Sequence, residues 1–427
     1  MSAVKGSDDG FKNDSSKSSI LELIKANYKS GISVALVSLP LSTALAIASG
    51  ATPMHGIRTG IYGSAMGGLF GGSAYNILGP AGALVNNLST LVSEHGIDII
   101  PMVALGAGII SFGVYLLQLQ QYCTLIPVSV LEGFSLGVAI TIGTGQFNFA
   151  LGLDIPKQPA FYMNIVNTFK NIGDSQASEY VPFIVLYLML MSLMRYFPGK
   201  PWIIFIALVG MIYGFITVNY ITAIKPLILK DKYPTMVDPK LFDFTWMENK
   251  NKIPFSHIFI GSAEVAFVAV LETLISARIA DNMTGTRFEQ RKEVFGMSLG
   301  NTLAGFMGGA PCTGVLVRTG VNVSSGATNK MSQLINAIVV LLITLIFMPA
   351  FVYIPLPCIA AILIVAATRL VPFKVIKQLW NYDIAELVIL FVVSVICVGV
   401  DGAIGLMVGG VISILRTAIK TSKAHAI

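Results

Sequence analysis

The chain is a succession of apolar runs separated by short polar breaks. Runs near 31–49, 57–72, 79–92, 99–118 and 127–147 come first, then 180–196 and 202–222. After a lysine-rich stretch follow 258–280, 293–309, 313–325, 332–353, 357–371, 383–400 and 402–418. Most approach the ~20 residues a helix needs to cross bilayer hydrocarbon, where only helices and closed barrels satisfy their own backbone. The pattern predicts an all-α membrane protein of fourteen transmembrane segments. The third and tenth runs are too short to cross alone, and each follows a helix-breaking string, LGPAGA at 78–83 and GGAPCTG at 308–314.

The breaks keep step. Pro80 lies 40 positions after Pro40 of the first run, and Pro311 lies 39 after Glu272 of the eighth. Seven spans per half is an odd number, so the second half inserts upside down, giving a seven-plus-seven inverted repeat of the kind found in secondary transporters. The predicted divisions are a tail at 1–30, a first repeat at 31–222, an external loop at 223–257, a second repeat at 258–418 and a short tail at 419–427. In the first tail, Ser19 and Glu22 form a capping box ahead of Ile20, Leu21, Leu23 and Ile24, which predicts a short amphipathic helix on the membrane surface. That tail is otherwise polar and lacks the apolar core of a cleavable signal.

Composition agrees with the pattern. Of 427 residues, 54% are apolar and 12% charged, against roughly 25% charged in an ordinary soluble domain. The net charge of +6 would suggest nucleic acid in a soluble chain, but here the basic residues lie between apolar runs, so no nucleic-acid partner is expected. With the N-terminus inside, 18 of the 28 lysines and arginines fall on the cytoplasmic side, which predicts cytoplasmic termini and a multi-pass protein of a plasma or inner membrane. The four cysteines are isolated in or beside apolar runs and read as free thiols.

The broken runs are the candidate site. Proline suits a first helical turn, so each string ends one helix and starts another at bilayer depth. Unpaired first-turn amides and a dipole worth about +0.5 charge make such a start an anion cradle, and irregular backbone at that depth must line a cavity. Gly63, Gly67, Gly71 and Gly72 read instead as close-packing positions. Arg318 falls within the tenth segment, where a charge costs roughly 2.5–3.5 kcal/mol; an anionic substrate or an ion pair with Glu272 would offset it. Glu272 is the one charge in its run, which makes it a candidate for proton or sodium coupling, and Thr273 and Ser276 could add oxygen ligands. Glu132 and Glu386 sit near the cytoplasmic ends of their spans, where a carboxylate reaches water.

Several strings together resemble the SulP sulfate permease family of anion transporters: ALVSLP at 35–40 with AIASG at 46–50, LFGGS at 69–73 running into GPAGA at 79–83, LET at 271–273 with DNMTG at 281–285, and GGAPCTGVLVR at 308–318 followed by TGVNV. The resemblance spans most of the chain in order. It implies a core domain of segments one to four and eight to eleven, a gate domain of five to seven and twelve to fourteen, elevator transport of a small inorganic or organic anion such as sulfate or bicarbonate, and a homodimer in the lipid bilayer. Carried over by position, the anion site falls on Thr43, Ala81, Gly82, Ala83, Thr313, Gly314 and Arg318, and Glu272 matches the family's acidic position. Relatives usually continue into a STAS domain, whereas this sequence stops at Ile427, and many carry a glutamine where Leu41, Ser42 or Thr43 stands here.

The rival readings are a nucleobase:cation symporter of the same fold and an uncoupled anion channel or exchanger. Enzymes are excluded on context. The only catalytic string, GMSLG at 296–300, begins an apolar helix instead of following a strand, and no Walker, dinucleotide or metal motif occurs. No cofactor is expected beyond a coupling sodium ion or proton.

Overall fold

The structure, a computed structural model, describes residues 20–153, 155, 161–198, 200, 202–221, 226–237, 239–249, 252–400 and 402–425. In chain order its helices are α1 (Ile20–Ala48), α2 (Pro53–Phe70), α3 (Val85–His95), α4 (Ile99–Leu116), α5 (Val128–Gly145), α6 (Phe147–Leu151), α7 (Phe161–Lys170), α8 (Ala177–Tyr196), α9 (Trp202–Tyr220), α10 (Leu229–Lys232), α11 (Phe255–Thr284), α12 (Gln290–Phe306), α13 (Leu316–Ser324), α14 (Met331–Phe351), α15 (Leu356–Leu370), α16 (Phe373–Tyr382), α17 (Ile384–Gly399) and α18 (Gly402–His425). Two short strands, β1 (Leu78–Gly79) and β2 (Thr313–Gly314), precede α3 and α13. Every apolar run coincides with a helix, and the third and tenth coincide with the short helices α3 and α13. Among the described residues, eight helical stretches are long and apolar enough to cross a membrane, with shorter apolar helices at Ile384–Gly399 and Gly402–Ser413.

The helices pack in two groups. In one, α12 lies against α4 and α2, α1 and α2 against α14, and α11 against α4; in the other, α17 lies against α5 and α18, and α15 against α5, α8 and α9. Glycine permits the close approaches of the first group. A Cβ on Gly72 would stand 2.1 Å from the Glu289 carbonyl oxygen, and one on Gly67 would stand 2.4 Å from Gln333 Nε2 of α14. The string at 296–300 lies inside α12, where Ser298 Oγ donates to the Phe295 carbonyl.

Two sequence expectations change at the ends. Residues 1–19, including Ser19 of the expected capping box, lie outside the described residues, and 20–30 form no separate surface helix. They are the opening turns of α1, because Asn27 fastens them to the α13–α14 turn: its Nδ2 donates to Thr328 Oγ1 at 3.0 Å, and its Oδ1 accepts from the Thr328 amide at 2.9 Å. At the other end, α18 runs past 418 to His425.

The loop expected at 223–257 is also tied down where it is described. Leu229 and Lys230 donate their amides to the carbonyls of Ile354 and Val352, each at 3.0 Å. Further along, Arg58 of α2 holds the loop with two bonds, Nε to Lys240 O (3.0 Å) and Nη2 to Asp243 Oδ2 (3.4 Å), and donates Nη1 to Gly308 O (2.9 Å) ahead of the second break. Gly308 takes a positive φ of 77°, so the turn before Pro311 needs a glycine.

Candidate functional site

The two broken segments meet. After Pro80 a tight turn at Gly82–Leu84 leads into α3; after Pro311 the chain runs through β2 into α13. Just ahead of each helix, β1 and β2 pair antiparallel, Leu78 opposite Gly314 and Gly79 opposite Thr313. The pairing satisfies backbone groups that a dry interior would otherwise leave unpaired. It also brings the start of α3 and the start of α13 to one place.

That place is the head of a cavity of about 510 Å³. Gly82 and Ala83 line it from the first break, Val315 and Leu316 from the second, Glu272 and Ile275 from α11, and Leu41 and Leu45 from α1. The opposite wall belongs to the other packing group, with Glu132, Phe134 and Val138 of α5, Leu363 and Arg369 of α15, and Leu406 of α18. The cavity thus lies between the two groups of helices. It extends toward the end of the molecule that holds the start of α5, the last turns of α15 and Lys374.

Thr313 joins the break to the acid. Its Oγ1 donates to Glu272 Oε2 at 2.6 Å, which fixes the carboxylate beside β2. Gly314, the next residue, is buried, as is Ala81 after the first break. Gly314 donates its amide to Thr273 Oγ1 at 2.8 Å, and a Cβ there would stand 2.4 Å from Asn76 Nδ2.

Other expected residues are placed differently. Arg318 is fully buried and does not line the cavity: Nη2 donates to Ser42 Oγ (3.0 Å) and to the Pro80 carbonyl (3.2 Å), behind the strand pair. Among the described residues, no ion pair within 4 Å joins it to Glu272. Its Nη1 fills the space a Gly79 side chain would need, 1.7 Å from an added Cβ. Thr43 is buried with its hydroxyl unpaired, on a different face of α1 from Leu41 and Leu45. Thr273 and Ser276 have hydroxyls taken up by partners other than Glu272. Thr273 Oγ1 bonds Gly314 N and Met297 Sδ, and Ser276 Oγ bonds Asn76 Oδ1 at 2.8 Å. The structure therefore puts Gly82, Ala83 and Glu272 on the cavity wall, with Thr313 bonded to Glu272, and leaves Ala81, Gly314, Arg318, Thr43, Thr273 and Ser276 off the lining.

Three residues on the cavity or its support were given no site role from sequence. Ser42 holds Arg318, and its signal was a hydroxyl one turn after Ser38. Glu132, read from sequence only as a carboxylate near a span end, lines the cavity from the second turn of α5. Arg369 lines the cavity from the last turn of α15 and reads in sequence as a topology charge.

The profile of the sulfate permease family matches residues 24–393, and the chain belongs to that family. It is 27% identical over 419 residues to the sodium-independent sulfate anion transporter of Bos taurus, covering 92% of this chain and 69% of that one. It is 24% identical over 417 residues to the bicarbonate transporter BicA of a Picosynechococcus species, covering 92% and 70%. The fold superposes on the transmembrane domain of a cyanobacterium bicarbonate transporter BicA with a TM-score of 0.76 at 23% identity, over 91% of this chain and 98% of that domain. The chain is therefore a multi-pass membrane transporter and not an enzyme.

Proposed function

We propose that this chain is a secondary active transporter of small anions of the sulfate or bicarbonate class, taking its substrate at the crossing of the two broken segments. The observation that carries the reading is the pairing of β1 with β2, which aims two helix starts at the head of one cavity. Partial positive charge from both starts favours an anion there. Arg318 adds a full charge from behind the strands, where the anion need not touch it. Glu272, on the cavity wall and bonded to Thr313, is the proposed point of proton or sodium coupling.

The architecture proposed is fourteen segments in a seven-plus-seven inverted repeat, and the antiparallel crossing of equivalent breaks supports it. The helices around α1, α11 and α12 would form the core, those around α5, α15 and α17 the gate, and the cavity between them is the gap an elevator needs. With the termini placed in the cytoplasm by the basic-residue bias, the cavity faces inward. A homodimer is carried from the family resemblance alone. The nucleobase reading is not favoured, because the family profile and the similar proteins are sulfate and bicarbonate transporters.

Uptake of radiolabelled sulfate, bicarbonate and uracil into proteoliposomes, each with and without a sodium or pH gradient, tests the proposal. The expectation is uptake of at least one of the two anions, none of uracil, and strong loss of anion uptake in Arg318→Ala. Uracil uptake, or a wild-type rate in Arg318→Ala, would refute it.

A further inference from the structure

Asn76 stands two residues before β1 in a run of small residues and glycines, and nothing in its sequence context marks it. In the fold it is 2% exposed and uses both ends of its amide. Its Oδ1 accepts from Ser276 Oγ of α11 at 2.8 Å and from Thr319 Oγ1 of α13 at 3.0 Å. Its Nδ2 donates to Glu293 Oε1 of α12 at 2.6 Å and to the Thr273 carbonyl of α11 at 3.3 Å. One side chain thus joins three helices directly beneath the strand crossing.

Glu293 sets the direction of that amide. Its carboxylate is 4% exposed, and its Oε2 takes the amides of Gly72 (2.8 Å) and Ser73 (2.7 Å), the turn that delivers Asn76. Among the described residues, no basic side chain lies within 4 Å of it. A buried carboxylate with only hydrogen bonds must face donors, so Asn76 has to present Nδ2 to it. Oδ1 is then left for the two hydroxyls. Thr319 passes the arrangement on by accepting the Ile77 amide at 3.1 Å, one residue before the first strand.

We propose that Asn76, oriented by Glu293, is a positioning residue for the anion site: it locks the crossed strands to α11 and so fixes the relative aim of the two helix starts. The proposal rests on the transport reading above and assigns Thr273 and Ser276 a task apart from cation binding. Asn76 touches no substrate; it acts through β1, β2 and the α11 turn that carries Glu272.

A charge-and-amide exchange tests it in the full chain. KM and maximal rate for radiolabelled sulfate and bicarbonate are measured in proteoliposomes for wild type, Asn76→Asp, Glu293→Gln and the double variant, normalised to incorporated protein. Asn76→Asp sets two carboxylates together, and Glu293→Gln can set two amide donors together; each should raise KM about tenfold, the scale of losing a hydrogen bond to a charged group. The double variant restores one donor facing one carboxylate and should return KM to within about threefold of wild type, a coupling that independent sites do not show. A residue that only stabilises the fold would lower incorporation and leave KM unmoved; that result, or a double variant as impaired as the two singles combined, overturns the proposal. If Asn76→Asp does not incorporate, Glu293→Gln decides alone, and an unchanged KM overturns it. A wild type that moves neither anion sinks the transport reading and this proposal with it, whereas an active wild type without rescue sinks only the positioning role.

Discussion

Replacing Gly79 with alanine is the sharpest perturbation the fold offers, because one methyl group addresses one buried cation. The added Cβ would stand 1.7 Å from Arg318 Nη1, and contacts under 3.0 Å are essentially unknown for real Cβ atoms. Arg318 is fully buried, so the guanidinium cannot swing into solvent. It must shift within the packed interior, which breaks the alignment of Nη2 with Ser42 Oγ at 3.0 Å and the Pro80 carbonyl at 3.2 Å. Hydrogen bonds from a charged group are worth about 1.5–3 kcal/mol each. Losing both at the lower value is about 3 kcal/mol, or two decades in an equilibrium constant. Repacking recovers part of this, so KM for anion uptake in proteoliposomes should rise between about tenfold and a hundredfold. Ser42→Ala removes one bond without a clash and should give a smaller rise in the same assay. Gly113→Ala is the control, since a Cβ there meets nothing within 4 Å. A Gly79→Ala protein with wild-type KM and yield would refute the claim that Arg318 must stay behind the strands for the site to work.

Three further outcomes follow from the same geometry. Glu272→Gln keeps a partner for the Thr313 hydroxyl but removes the charge, so uptake should lose its dependence on a sodium or pH gradient while some anion binding survives; retained dependence would place coupling elsewhere. Arg369→Glu reverses a charge on the cavity wall and should raise KM most at low ionic strength, where steering is least screened; a salt-independent change would argue against steering. Asp243→Asn tests the strap on α2. Partial burial works against the Asp243 carboxylate, but hydrogen bonds from the Thr245 amide and hydroxyl and the Arg58 guanidinium outweigh it and hold the group below the ordinary carboxylate range. The folded form therefore binds that proton less readily than the unfolded chain. Its stabilisation is complete above the ordinary value of 3.8 and is lost as pH falls through the lower folded value. The thermal midpoint of Asp243→Asn should lie below wild type at pH 7, and the two should converge on acidification; parallel curves would contradict this.

Much of the architecture could be read in the sequence because lipid imposes one strong rule, that long apolar runs become helices. Pro80 and Pro311 marked the breaks for an equally local reason, the missing amide and fixed φ of proline. What was not legible is relational. Two-residue strands have no periodicity to detect, so the crossing of Leu78–Gly79 with Thr313–Gly314 left no trace. In α1, apolar residues surround the helix on every side, so nothing distinguished the face of Leu41 and Leu45 from that of Thr43. Arg318 was recognised as exceptional, but only the cramped space at Gly79 shows that it stands behind the site. Asn76 meets Ser276, Glu293 and Thr319, each some 200 or more positions away in the chain. Thr273 and Ser276 were grouped with Glu272 because they are neighbours in sequence, but the fold gives both hydroxyls other partners, Met297 and Gly314 for Thr273 and Asn76 and Thr319 for Ser276.

In the proposed mechanism an anion sits where the two helix starts converge, at residues 81–83 and 313–316. Locating bound selenate, a heavy-atom analogue of sulfate, by its anomalous scattering in crystals of the purified protein tests this most directly. One dominant peak is expected at the head of the cavity, between Ala83 and Leu316, and it should disappear in Gly79→Ala. A dominant peak beside Arg369 and Lys374 at the cavity's other end, with none at the strand crossing, would contradict it.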